Sequence, residues 1–323
     1  MYDLAENYKD GKNGVEKNEE EAIRYYKLVA EDEDAEDEKI RNSSFSLGYI
    51  MTHNDTEEDD AEAVTWFEKA IEKGDGNAIN WLGWMYENRK GVPQDYEKAV
   101  ELYKKAADVK SGYAQNRLGG IYENGECGQE INLEEALKWY KLAAENDYDG
   151  AQERVERVQQ SIYDLAENYR DGKNGVEKNE EEAIRYYKLV AEDESAEDNM
   201  IKNACFWLGW IMACNETDED DTESVSWYEK AMEKGAVSAI NNLGWMYEKG
   251  QGVQQDYEKA MELYKQAADA GNNYAMNSLG RIYENGDCGQ EVNLEEALKW
   301  YKLAAENGYD GAQESVARIE QAL

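Results

Sequence analysis

Four asparagines, Asn80, Asn116, Asn241 and Asn277, fall at one register of a recurring pattern. Asn77, Tyr49, Trp84, Trp210, Trp245 and Arg281 occupy neighbouring positions on the same predicted helix face. An amide side chain carries a donor and an acceptor together, which suits an extended peptide backbone. Large aromatics and arginine are the side chains that most often anchor an interface. The chemistry these residues can do is recognition of a peptide or protein segment. The plainer reading stands beside it: an inward Asn is a solvated helix residue, and an inward Trp packs on the next helix.

Bond-making chemistry finds less support. His53 is the single histidine, and Cys127, Cys205, Cys214 and Cys288 are the four thiols. Nucleophilic catalysis needs a nucleophile beside a base, with a third group to orient the base. The sequence places no such set around His53, so no catalytic residue is assigned. Cys127 and Cys288 lie in Asn-Gly-Glu-Cys-Gly and Asn-Gly-Asp-Cys-Gly turns without a second ligand at zinc spacing. Turn packing is their expected role. Cys205 and Cys214 stand on one predicted helix, about 13 Å apart along its axis, too far to bridge. Unbridged thiols lean towards a reducing compartment, the cytoplasm. The runs Asn54 to Asp60 and Asn215 to Asp221 invite a calcium reading. Both lack the central Gly and the spaced terminal Glu of a calcium loop, so acidic turns that cap the following helix are expected instead. No metal or cofactor is predicted.

The elements that must position these residues are helices. The segment from Tyr2 repeats from Tyr163, and the match continues ungapped at an offset of 161 with roughly three-quarters of positions identical, a tandem duplication. A shorter period lies within each half. Leu82-Gly83-Trp84-Met85-Tyr86 and Leu118-Gly119-Gly120-Ile121-Tyr122 recur as Leu243 to Tyr247 and Leu279 to Tyr283. Leu47 to Leu82 is 35 residues and Leu82 to Leu118 is 36, the spacing of helical hairpins. After each Leu-Gly helix comes a second stripe, such as Ala99, Tyr103 and Ala106, one face of a helix. Asp95, Asn132 and Asn293 are predicted N-caps, and Gly74, Gly235 and Gly271 left-handed helix ends. The fold expected is all-α, a right-handed α-solenoid of about eight helix-turn-helix repeats. Residues 1–150 form a first block of four, 151–161 a helical junction, and 162–323 a second block with a C-terminal capping helix. The acidic stretch Glu31 to Asp37 lengthens the first repeat as a solvated loop or frayed helix extension.

The chain has 323 residues, 72 of them acidic against 35 Lys and Arg, for a formal charge of −37. Phosphate binding needs clustered cations, so nucleic acid is a poor partner, and anionic membranes are disfavoured likewise. No apolar run reaches a membrane span, and no signal-peptide pattern precedes Tyr2. The partner expected is a basic or neutral protein or peptide; self-association stays open.

The motif running through Ala239, Leu243, Gly244, Tyr247, Gly250, Gly252, Val253, Asp256, Lys259, Ala260, Tyr264, Ala267 and Ala268 closely resembles the Sel1-like repeat, a relative of the tetratricopeptide repeats. The resemblance implies a non-catalytic scaffold that binds a protein segment on a concave face lined by the first helix of each repeat. In related grooves inward asparagines hold peptide backbone, which the resemblance extends to Asn80, Asn116, Asn241 and Asn277. Some secreted members carry a cysteine pair in each repeat, and that pair is missing here. Two alternatives differ in class: a structural or engineered repeat array without a dedicated ligand, and a β-lactam-binding or hydrolysing enzyme, an activity linked to a few relatives.

Overall fold

The computed structural model describes residues 1–54, 56–215 and 217–323, without the side chain of Asp218. Asp55 and Glu216, one in each acidic run weighed as a calcium site, lie outside the described residues. Among the described residues there are seventeen α-helices and no strand. The chain divides into two units, Met1–Val158 and Gln159–Leu323.

In the first unit, hairpins form from α1 (Tyr2–Asp10) with α2 (Glu19–Ala30), and α3 (Asp37–Thr52) with α4 (Glu57–Glu72). They are followed by α5 (Gly76–Asn88) with α6 (Tyr96–Asp108), and α7 (Gly112–Asn124) with α8 (Leu133–Glu145). Helix α9 (Ala151–Asp171) contains the division between the units. The second unit continues with α10 (Glu180–Ala191), α11 (Asp198–Cys214), α12 (Asp218–Glu233) and α13 (Val237–Lys249). It ends with α14 (Tyr257–Asp269), α15 (Asn273–Asn285), α16 (Leu294–Glu306) and α17 (Ala312–Ala322). Each unit is a stack of helical hairpins, the all-α solenoid class that the period predicts. The stretch Glu31 to Glu36 is a turn between α2 and α3.

Local chemistry explains where the helices start and stop. The Asp95 carboxylate accepts the backbone N–H of Lys98 at 2.9 Å, and Asn132 and Asn293 accept those of Glu135 and Glu296. Each bond satisfies one of the four orphan donors of a helix start. The hydroxyls of Thr56 and Thr217 do the same for Asp59 and Asp220, so each acidic run opens a helix. Gly74, Gly235 and Gly271 follow α4, α12 and α14 with φ of 85°, 84° and 88°.

The Leu-Gly signature is a packing device. Where a first helix carries this glycine, it lets an aromatic ring of its hairpin partner, a tyrosine except for Phe67 opposite Gly48, lie close on the backbone. A Cβ at Gly119 would stand 2.6 Å from the Tyr140 ring, and one at Gly280 would stand 2.7 Å from Tyr301. Tyr103, Tyr140, Tyr228 and Tyr264 are fully buried this way, while Tyr26 and Tyr187 are buried opposite helices that carry Ala5 and Ala166 instead. Removing such a ring from water is worth about 2 kcal/mol.

Candidate interaction surface

The first unit holds a cavity of about 660 Å³ between its first helices. Helix α3 contributes Phe45, Thr52 and His53; α5 contributes Asn77, Asn80, Trp81 and Trp84; α7 contributes Tyr113. The wall is aromatic and self-supporting. Trp81 lies parallel to Phe67 of α4 at 6.1 Å and meets Tyr49 edge-on at 5.3 Å and Trp84 at 5.7 Å. Offset and edge-to-face pairs of this kind favour one arrangement of the rings over others. Thr52 and the His53 Nδ1–H both donate to the Tyr49 carbonyl, at 2.8 and 2.7 Å. A carbonyl only accepts, so Nδ1 carries a proton, and in the neutral ring Nε2 is the acceptor.

Asn80 is 7% exposed. Its amide donates to the Ser111 hydroxyl at 2.6 Å, while its Oδ1 has no partner. An unmade buried bond of this kind costs about 1–3 kcal/mol.

The second unit has a cavity of about 310 Å³ at the equivalent place, lined in part by Trp210, Cys214, Asn241 and Trp245. Asn242 stands where the first unit has Trp81, and its amide donates to the Tyr228 hydroxyl at 3.0 Å. Replacing an indole by an amide removes the central ring of the cluster. The Asn241 Oδ1, like that of Asn80, is buried and unpartnered. A neighbouring cavity of about 390 Å³ is lined by Phe206, Trp207 and Trp210, and Arg170 stacks on Trp207 with its guanidinium 3.8 Å from the ring centre.

The structure sorts the predicted residues. Asn77, Asn80, Trp84, Asn241, Trp245 and Trp210 line cavities, and Tyr49 packs against the wall of the first. Trp210 and Trp245 are 44% and 43% exposed. Asn116 is as buried as Asn80, its Oδ1 accepting Arg154 at 2.6 Å, and it lines neither of the cavities that hold Asn80 and Asn241. Asn277 is half-buried and does not line the cavity that holds Asn241. Arg281 is tied to Glu248 at 2.6 Å and to Asp287 at 2.9 Å.

That last pair belongs to a device that sequence reasoning missed. Four first helices, α5, α7, α13 and α15, end in a glutamate that receives the tyrosine hydroxyl of the hairpin partner and an arginine from the next helix after the hairpin. Tyr264 and Arg281 converge on Glu248, and Tyr301 and Arg318 on Glu284. In the first unit Tyr103 and Arg117 meet at Glu87, and Tyr140 and Arg157 at Glu123. Burial works to raise the Glu248 carboxyl, yet Lys249, Arg281 and Tyr264 outweigh it and hold it below its ordinary value. Burial and then Glu123 push the Tyr140 hydroxyl up to about 12. The Glu and Tyr recur at an interval of 16 or 17 residues, but the Arg stands 30 to 34 residues after the Glu, so its register varies between repeats.

Three of the four thiols are poor nucleophiles, and Cys214 is exposed. Burial pushes Cys127, Cys205 and Cys288 each up to about 11, which keeps them protonated and poorly nucleophilic at neutral pH. Cys127 and Cys288 both adopt φ of 51° in their turns. Among the described residues no group of His, Cys, Asp and Glu is arranged to hold a metal ion, and no helix is long and apolar enough to cross a membrane.

The Sel1 repeat matches residues 1–34, 44–75, 76–109, 112–148, 159–194, 202–235, 237–272 and 273–309. Among solved structures, a protective antigen of uropathogenic Escherichia coli displaying an SLR fold is 30% identical, with a TM-score of 0.45. The alignment covers 100% of this chain and 64% of that one. A Sel1 repeat protein from Oxalobacter formigenes is also 30% identical, with a TM-score of 0.39, over 81% of this chain and 99% of that one. An immunity protein of Pseudomonas aeruginosa is 19% identical, with a TM-score of 0.34, over 73% of this chain and 83% of that one. No curated protein matches. With eight copies of the repeat spread along both units, the chain belongs to the Sel1 repeat family.

Proposed function

We propose that the protein is a non-catalytic interaction scaffold that takes up a protein segment across its first helices, α3, α5 and α7 in one unit and α11, α13 and α15 in the other. The observation that carries this reading is the paired cavities at equivalent places in the two units, each bordered by exposed aromatics on an otherwise strongly charged chain. The charge of −37 favours a basic or neutral segment. Panning the full chain against a displayed random-peptide library tests it. The expected outcome is enrichment of segments rich in Lys and Arg. Their affinity should fall as salt is raised, and by about tenfold or more in Asn241→Ala/Trp245→Ala. Binding indifferent to both changes defeats the proposal.

A second reading, a structural array with no dedicated ligand, draws on Asn80 and Asn116. Both spend hydrogen-bonding capacity inside their own unit, on Ser111 and Arg154. A library that yields no enriched peptide favours it.

A further inference from the structure

We propose that the first-unit cavity is an aromatic cage for a guanidinium group, an arginine side chain of the bound segment. The inference rests on the segment-binding reading and names what the segment must carry.

Three observations converge on a cation rather than an apolar side chain. The walls present ring faces and edges from Phe45, Trp81, Trp84 and Tyr113, and no Lys or Arg lines the cavity. Among the described residues, no cationic side chain lies over Trp81 or Trp84, although ten such pairs occur elsewhere in the chain. Of the polar lining residues, Thr52 gives its hydroxyl proton to the Tyr49 carbonyl, and the neutral His53 ring keeps Nε2 as an acceptor. A guanidinium supplies donors only, in a flat fork that stacks on aromatic faces. Finally, the chain's negative charge raises the local concentration of cations.

The second unit shows a guanidinium on an indole at another place. There Arg170 stacks on Trp207, and the residue equivalent to Trp81 is Asn242. That guanidinium–indole pair is the kind of contact the first-unit cavity, with no cation over Trp81 or Trp84, leaves open. A planar guanidinium suits that cavity better than an ammonium, because its two faces and its edge can all be used at once.

The test uses the full chain and short peptides Gly-Ser-Xaa-Ser-Gly, with Xaa as Arg, citrulline or Leu, measured by calorimetry. Citrulline keeps the shape of arginine and removes its charge. The Arg peptide is expected to bind about fivefold or more tightly than either other peptide. Trp81→Asn, the residue the second unit carries, should abolish that preference without changing net charge. Circular dichroism checks its fold. Tyr113→Ala, at a wall position 42% exposed, gives an independent reduction if Trp81→Asn unfolds. An Arg preference unchanged in both variants reports only the field of the chain and overturns the cage. A Leu peptide that wins, and loses its advantage in Trp81→Asn, overturns the cage while segment binding stands. No binding by any peptide overturns the cage and removes support for segment binding in this unit.

Discussion

Glu248 concentrates the residue-scale physics of this chain. It is almost wholly buried, accepts the Tyr264 hydroxyl at 2.9 Å and pairs with Arg281. Its carboxyl is held below the ordinary 4.5 by the bond from Lys249, by Arg281 and by Tyr264, against the opposing effect of burial. A carboxyl depressed in the folded state adds stability above its unfolded value and loses it as pH falls through the folded value. The same sign applies to Glu123, lowered by Arg157 and Tyr140 against burial. Urea unfolding of the full chain should therefore show stability falling as pH drops below about 4.5, more steeply than in Glu248→Gln. At neutral pH that variant should also be less stable than the parent, by about 1–3 kcal/mol, because Arg281 loses its charged acceptor. Equal pH profiles for parent and variant would show that the junction carries no such load.

At the scale of elements, the helix ends behave as their caps dictate. Asp95→Ala removes the acceptor for Lys98 N–H and should destabilise the first unit by about 1 kcal/mol, read as a shifted denaturation midpoint with an unchanged slope. Caps and core stripes were legible because their signals are local. Asp95 precedes its helix directly, and Leu82, Gly83 and Tyr86 declare one face by spacing alone. The site was legible only in part. Asn80, Trp84 and Trp245, which the sequence assigns to an open face, line cavities, and so does Trp81, which that assignment leaves out. Its place is set by stacking on Phe67, from another helix, which no periodicity within α5 reveals. Arg281 was expected on the open face because it is charged and sits at a groove register. Its partner Glu248 lies 33 residues earlier, so only the comparison of successive repeats could have exposed the pairing.

For the molecule as a whole, charge is the dominant variable. A formal charge of −37 opposes compaction through self-repulsion, and the repulsion is screened by salt. The thermal midpoint should rise when sodium chloride is increased from about 20 to about 300 mM, a range over which the screening length shortens several-fold. A midpoint that is flat or falls would mean that the ion pairs at Glu248 and its equivalents outweigh the net repulsion. The duplication was legible at this scale from identity alone, but its divergence was not. Trp81 and Asn242 are a single difference among many in the alignment, and only the cavities show that this difference changes what the two halves can hold.

That divergence bears on valency. Two copies of one scaffold slot, one floored by indole and the other by an amide hydrogen-bonded to Tyr228, make the chain its own paralogue. A ligand reading features common to both slots meets two sites per polypeptide, and a ligand that requires Trp81 meets one. Stoichiometry therefore becomes a fingerprint of which wall a ligand touches. The duplicated half supplies an internal reference under identical solvent, temperature and concentration.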